Sequence, residues 1–288
     1  MAPDTKIIFV ADFYIDDYHG GAELTSDAIL QKCPYPYRSF YSSNLTKEDI
    51  DVNKESFWVF GNACGVKDNV LLHAAKNLNY CVLEYDYKYC KYRSPKKHIF
   101  FEKECRCQEQ HRGKITSVFF SRANSLWFMS EKQKDHYEEI FPFLKEQNSF
   151  VLSSVFDDKT LDMLKNVKVE KNNKWLIVSS DSWIKGTQAA VEYANQNKFE
   201  YFLAENLPYK EMLLALAGSK GLIFLPPGRD TCPRLVIEAK LLDCELIINE
   251  NVQHTTEKWL ADKQTMFEYL ASRPCFFWNE IKESLANA

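Results

Sequence analysis

Two carboxylates stand eight positions apart in LPPGRDTCPRLVIEAKLLDCELIIN, residues 225–249: Asp230 in a loop and Glu238 after Pro233. Proline suits the first turn of a helix, so RLVIEAKLLDC reads as a helix with Thr231 or Cys232 in the cap region. Leu235, Ala239 and Leu242 form its buried stripe, and Glu238 lies one turn in, beside that stripe. A helix N-terminus favours an anion, so two acids around one are not what the backbone itself asks for. Taken singly, Asp230 reads as a turn residue and Glu238 as a solvated helix acid.

Three other places carry comparable chemistry, each at the end of an apolar run. In DFYIDDYHGGAE, residues 12–23, Gly20 and Gly21 precede a helix, where backbone N–H groups can approach an anion closely. The same pair also serves as a plain strand-to-helix turn. In SSDSWIKG, residues 179–186, Lys185 opens a helix, against the helix dipole; a bound phosphate would make that position favourable. In AENLPYKE, residues 204–211, the loop at Asn206 and Leu207 offers backbone that could meet a planar base, or simply a capping turn.

These places are set by an alternation of short apolar runs and amphipathic runs. KIIFVADF, YRSFYS, FWVFGN, YCVLEYD, LWFMS and FVLSSVF read as strands up to residue 156, with helices at 21–33, 66–78 and from Glu131 to a stop near Pro142. DDKTLDMLKNVKVEKNNK is polar and reads as the boundary. The alternation then restarts with KWLIVSSDS, EYFLAE, GLIFLPP and ELIIN as strands. This order predicts an α/β protein of two Rossmann-like, parallel-sheet domains with right-handed crossovers and ligands at the carboxyl ends of the strands. The expected division is 1–158 with the C-terminal helix 272–288, and 159–271. FEYLASRPCFFWNEIKESL is helical apart from Pro274, with Phe276, Phe277 and Trp278 available to dock on a domain surface.

The 288 residues are 45% hydrophobic and 26% charged, which is the composition of a globular protein with a sizeable core. A net charge of −4 does not suggest nonspecific binding to nucleic acid or anionic membrane. The densest basic run, KYCKYRSPKKH at 88–98, reads as a solvated loop. The apolar run Ile7 to Ala11 is too short for a signal core or a membrane span, so a cytoplasmic protein is expected. The nine cysteines read as free thiols. Cys90, Cys105, Cys107 and His111 have the residue types of a zinc site. Their C-x-C spacing and the distance to Cys90 favour ordinary packing, and no metal is expected.

In this order the four places resemble the retaining nucleotide-sugar glycosyltransferases of the GT-B fold, of the family-4 type. The matching residues are Gly20-Gly21-Ala22-Glu23, Lys185-Gly186, and Pro226-Pro227 followed by Asp230 and Glu238. SEKQKDHYEEIFP, EYDYKYCKYR and the FFW helix extend the match over nearly the whole chain. The resemblance implies two domains facing a cleft, with the C-terminal helix crossing back to the first. It implies a donor site of Gly20, Gly21, Lys185, Asn206, Leu207, Asp230, Arg234, Leu235, Val236 and Glu238. Glu238 would take the ribose hydroxyls, Asp230 the transferred sugar and Lys185 the diphosphate, with Asp86 the nearest base on the acceptor side.

The implied reaction is transfer from a UDP- or GDP-sugar to a glycan or other hydroxyl acceptor, with retention and without a metal or cofactor. Nucleic acid is not expected as a partner. The chain departs from the family pattern at Asp230, one methylene short of Glu, and at Ser180 or Asp181, where the family places an arginine. Tyr85 also precedes Asp86 where the family often has a histidine. Arg229 or Arg234 could replace the missing cation. Two rival readings follow: a catalytically degenerate sugar-nucleotide or glycan binder, and a transferase that glycosylates DNA bases, which the Tyr/Lys/Arg run at 85–98 motivates.

Overall fold

The computed structural model describes residues 6–286, and the chain divides into two compact units. The first holds the chain up to Val155 together with the stretch from Ser272; the second runs from Phe156 to Ala271. Both are α/β with all-parallel sheets, as the alternation predicts. No helix among the described residues is long and apolar enough to cross a membrane.

The first unit has strands β1 (Ile7–Ala11), β2 (Tyr37–Tyr41), β3 (Phe57–Phe60), β4 (Asn79–Glu84), β5 (Ser125–Phe128) and β6 (Ser149–Val151) in the order β2-β1-β3-β4-β5-β6. The central runs IIFVA and FWVF are buried throughout, which is why they read as continuous apolar stretches rather than alternating ones. Parallel register places Ile8 beside Trp58 and Trp58 beside Tyr80, and the rings of Phe40, Trp58 and Phe60 stack along one face. The helices are α1 (Gly21–Gln31), α2 (Lys47–Val52), α3 (Asp68–Asn77), α4 (Pro95–Glu102), α5 (His111–Ser121) and α6 (Glu131–Ile140). Of these, α2, α4 and α5 carry little periodic apolar signal. A capping box between Thr46 and Asp49 starts α2, and such caps contribute about 1 kcal/mol.

The second unit has β7 (Trp175–Ser179), β8 (Tyr201–Glu205), β9 (Gly221–Phe224) and β10 (Glu245–Ile248) in the order β10-β9-β7-β8. Its helices are α7 (Asp158–Asn166), α8 (Thr187–Gln196), α9 (Tyr209–Ala217), α10 (Arg234–Leu241) and the start of α11 (Lys263–Ala286). Helix α8 covers the face formed by Trp175, Ile177 and Ile223. The polar boundary stretch is not all linker, because α7 forms inside it. Asp157 caps that helix by accepting from the Thr160 N–H, and Leu161 and Leu164 are buried.

Pro274 does not interrupt α11. A proline inside a helix costs about 3 kcal/mol. Beyond it Phe277, Trp278 and Ile281 are buried in the first unit, at about 2 kcal/mol each. Phe276 and Phe277 pack on Trp127, and the Trp278 indole N–H donates to the Ile29 carbonyl at 2.8 Å. The packing outweighs the lost hydrogen bond.

Candidate functional site

Strand order reverses between β7 and β9, and in a parallel sheet a crevice opens at the carboxyl ends of the two strands at such a point. The turn after β7 brings Lys185 there. Gly186 follows it at φ +64°, and a Cβ at that position would collide with the Leu225 carbonyl just past β9. Only glycine therefore lets the β7–α8 turn close onto the end of β9. The Lys185 ammonium sits 5.8 Å from the Phe224 ring centroid. Asp230 follows β9 on a loop held at both ends by backbone: its N–H donates to the Asn251 carbonyl at 2.9 Å, and its carbonyl accepts from the Gln253 N–H at 3.0 Å.

Glu238 is 2% exposed on α10. Its Oε1 accepts the Tyr209 hydroxyl at 2.6 Å and lies 3.5 Å from Arg234 Nε. Arg234 Nη2 in turn donates to the Tyr209 oxygen at 3.1 Å, and the guanidinium covers the Phe156 ring at 3.8 Å. Burial raises the Glu238 carboxyl above its ordinary range, while Arg234, Tyr209 and Lys185 pull it back. Burial likewise raises Asp230, with Lys185 opposing. Among the described residues, Lys185 is thus the cation whose field acts on both acids, so two carboxylates able to accept hydroxyl protons stand with an ammonium able to meet an anion.

The first unit has its own reversal, between β1 and β3. Asp12 stands there, accepting from the N–H groups of Cys64 at 3.2 Å and Gly65 at 2.8 Å and from the Ser42 hydroxyl. Arg93 spans the strand ends: Nε donates to Asp86 Oδ2 at 2.6 Å and Nη2 to Asn62 Oδ1 at 2.6 Å. Asp86 Oδ1 is buried without a hydrogen-bond partner. At the start of α1, a Cβ at Gly20 would meet the Tyr18 ring and the Glu23 carboxylate. Glu23 is buried in that first turn, so the anion at the Gly20-Gly21 helix end is the chain's own. Burial raises its carboxyl, with Arg93 opposing.

The sequence-predicted residues therefore fall into two groups. Lys185, Asp230, Glu238 and Arg234 gather in the second unit, with Leu235 and Val236 in the first turn of α10; the Val236 N–H is already bonded to the Pro233 carbonyl at 3.1 Å. Asn206, exposed at φ +50°, and Leu207 form the turn between β8 and α9. Gly20, Gly21 and Asp86 belong to the first unit. Arg234 is 5% exposed and committed to Tyr209, Glu238 and Phe156, so its cation is spent inside the unit. Sequence reasoning missed Tyr209, Arg93, Asp12 and Asn62. The only signal for Tyr209 was its place directly after Pro208, at a helix start.

The 88–98 run is not a solvated loop throughout. Lys88 is buried, with its ammonium 3.1 Å from Glu84 and bonded to the Gly61 and Leu83 carbonyls. Lys91 pairs with Glu102 and Arg93 with Asp86, and α4 begins at Pro95.

No family model and no curated protein matches the chain. Among solved structures it is similar to an alpha-glucosyltransferase in complex with UDP and a 13-mer DNA containing a HMU base, at 11% identity over 96% of this chain and 92% of that one, TM-score 0.47. It is also similar to an alpha-glucosyltransferase in complex with UDP-glucose and DNA containing an abasic site, at 10% identity over 97% and 93%, TM-score 0.49. At that level of similarity neither structure transfers a substrate or a residue role to this chain.

Proposed function

We propose that this protein is a glycosyltransferase that moves a sugar from a nucleoside diphosphate sugar to a hydroxyl acceptor, with retention and without a catalytic metal. The observation that supports the reading is that Lys185, Asp230 and Glu238 all lie past the strands of one strand-order reversal, with one lysine's field on the buried Glu238 and the half-buried Asp230. Glu238, held by Tyr209, accepts the ribose hydroxyl protons; Asp230 accepts from the transferred sugar. Lys185 stabilises the charge that grows on the diphosphate as the glycosyl bond breaks, the part a divalent cation has elsewhere. The transition state is oxocarbenium-like, by analogy with glycoside hydrolysis.

Glu238→Ala tests this. Transfer is expected to vanish and nucleotide binding to weaken, with circular dichroism unchanged; unaltered turnover would sink the assignment. Thermal-shift screening against UDP, GDP and their sugars identifies the donor, because a ligand far above its dissociation constant stabilises by a few kcal/mol.

A second reading, a nucleotide-sugar binder without turnover, is favoured by the internal commitment of Arg234, which leaves the family's missing arginine unreplaced from that position. Release of free nucleotide from any sugar nucleotide separates the two. Both solved structures above name DNA, so the expectation that nucleic acid is no partner gains no support from them. Residues 88–93 do not supply the phosphate-facing charge a DNA acceptor needs, since Lys88, Lys91 and Arg93 are paired internally. Duplex binding that falls steeply with salt would make DNA the acceptor to assay first.

A further inference from the structure

Three thiols and an imidazole converge between β4 and α5. Cys90 Sγ lies 3.8 Å from Cys105 Sγ and 3.6 Å from His98 Nδ1, and Cys107 Sγ lies 3.3 Å from the same Nδ1. All four atoms are within 4.8 Å of one another, and all but Cys105 are on buried residues. A tetrahedral zinc with Zn–S of about 2.3 Å and Zn–N of about 2.0–2.1 Å has S···S edges of about 3.8 Å and S···N edges of about 3.5 Å. The three separations above lie within about 0.2 Å of those edges, and the other three stay within 4.8 Å. A disulfide would need its sulfurs at about 2.05 Å.

We propose that Cys90, His98, Cys105 and Cys107 form a structural zinc site. The ligand set differs from the one the sequence offers. His111 is exposed and engaged with Asp68 at 2.8 Å, while His98 points inward from α4.

Two independent features of the fold fit an ion here. The first is the tautomer of His98. Its Nε2 faces Glu102 Oε2 at 3.0 Å, and that carboxylate also accepts from Lys91 and Tyr92. A proton on Nε2 donated to Glu102 leaves the lone pair on Nδ1, aimed at the thiols, which is the usual outer partner of a metal-bound histidine. The second is the poverty of packing around α4. Among its residues only Pro95 and His98 are buried, while Ile99, Phe100 and Phe101 are exposed. An isolated helix of this length is marginal. A cross-link through His98 holds it.

The local backbone is shaped to bring the ligands back. Lys103 ends α4 in the left-handed region at φ +68°, reversing the chain so that Cys105 and Cys107 return to His98. Beyond them, a Cβ at Gly113 would collide with the Cys107 carbonyl, so α5 packs directly on the site. On binding, each thiol coordinates as thiolate and releases its proton to water. Four protein ligands close the coordination sphere, so the ion holds the 88–112 segment, and with it Arg93, rather than acting on substrate.

The test uses the full chain, purified without a histidine tag after growth with zinc. Elemental analysis is expected to give stoichiometric zinc, lost in Cys107→Ser and His98→Ala and kept in His111→Ala and Cys275→Ser. Because the first two variants could fold poorly, X-ray absorption on the unaltered protein decides separately. It is expected to give three sulfurs and one nitrogen around zinc, and cobalt exchange a visible ligand-field spectrum with thiolate charge transfer. Metal-free protein whose thiols all alkylate, a Cys90–Cys105 disulfide in the mass spectrum, or zinc that follows His111 instead of His98 would each overturn the proposal.

Discussion

Replacing Tyr209 by phenylalanine removes one hydroxyl from the middle of the Tyr209–Glu238–Arg234 cluster. That hydroxyl donates to Glu238 Oε1 at 2.6 Å and accepts from Arg234 Nη2 at 3.1 Å. A hydrogen bond to an ionised group contributes about 1.5–3 kcal/mol. Arg234 Nε stands 3.5 Å from the same carboxylate oxygen, too far to take over the share of the phenol. At about 1.4 kcal/mol per decade, the ionised form of Glu238 then loses roughly 10- to 150-fold relative to the protonated form.

Tyr209 is one of the groups that pulls the raised Glu238 carboxyl back down, so its removal moves that carboxyl further up. Ribose hydroxyls need the ionised form as acceptor. Calorimetric titration with UDP or GDP across pH is therefore expected to show weaker binding near neutral pH, with the acid limb displaced upward and affinity recovering as pH rises. Stability obeys the same sign. A carboxyl raised in the fold binds protons more tightly there than in the unfolded chain, so stability falls as pH rises from the ordinary glutamate range through the raised value. The deficit of Tyr209→Phe is greatest above that value and fades below it. Wild-type affinity with an unmoved acid limb would refute the role given to this cluster.

Lys185→Met is expected to lower kcat roughly 10²–10³-fold, as loss of one preorganised charge does, with the apo fold intact by circular dichroism; an unchanged kcat removes Lys185 from the diphosphate. Gly186→Ala meets both a left-handed backbone and the Leu225 carbonyl; a loss of about 1–3 kcal/mol, read as a drop of several degrees in Tm, is expected. His254 is fully buried, both ring nitrogens lack partners, and burial with Lys240 nearby pushes its pKa down to about 3. The unfolded chain binds the proton first, so stability is lost by about 1.4 kcal/mol per pH unit as pH falls from about 6.5. His254→Phe keeps the stack on Trp259 and is expected to abolish that slope in guanidinium unfolding; a slope that survives assigns the acid sensitivity elsewhere.

The central strands were legible because their two faces are both buried, which leaves unbroken runs such as IIFVA and GLIF. Short elements were not. Helix α7 buries only Leu161 and Leu164 in a polar stretch, and α4 leaves its large apolar residues outside. Pro274 was misleading because its local penalty is met by packing that begins two residues later, at Phe276. At the site, the places of Lys185 and Asp230 after strands and of Glu238 in the next helix could be read from the alternation, while grouping them as one site rested on the resemblance. The pairing of Glu238 with Tyr209, 29 positions away, could not, nor could that of Arg93 with Asp86. Such contacts depend on how a loop folds back. The choice of His98 over His111 turns on one left-handed residue, Lys103, whose type does not announce the conformation.

Helix α11 has a consequence for how the protein is made. The first unit starts ahead of the second on the ribosome but is completed after it, because Phe276 and Phe277, which pack on Trp127, follow the whole of the second unit in the chain. The second unit is one uninterrupted stretch and has all of its residues earlier. During synthesis the nascent first unit therefore exposes an aromatic seam until residues 276–281 have been made, the period in which chaperones engage such surfaces. A premature stop near residue 272 would leave the second unit whole and the first permanently adhesive.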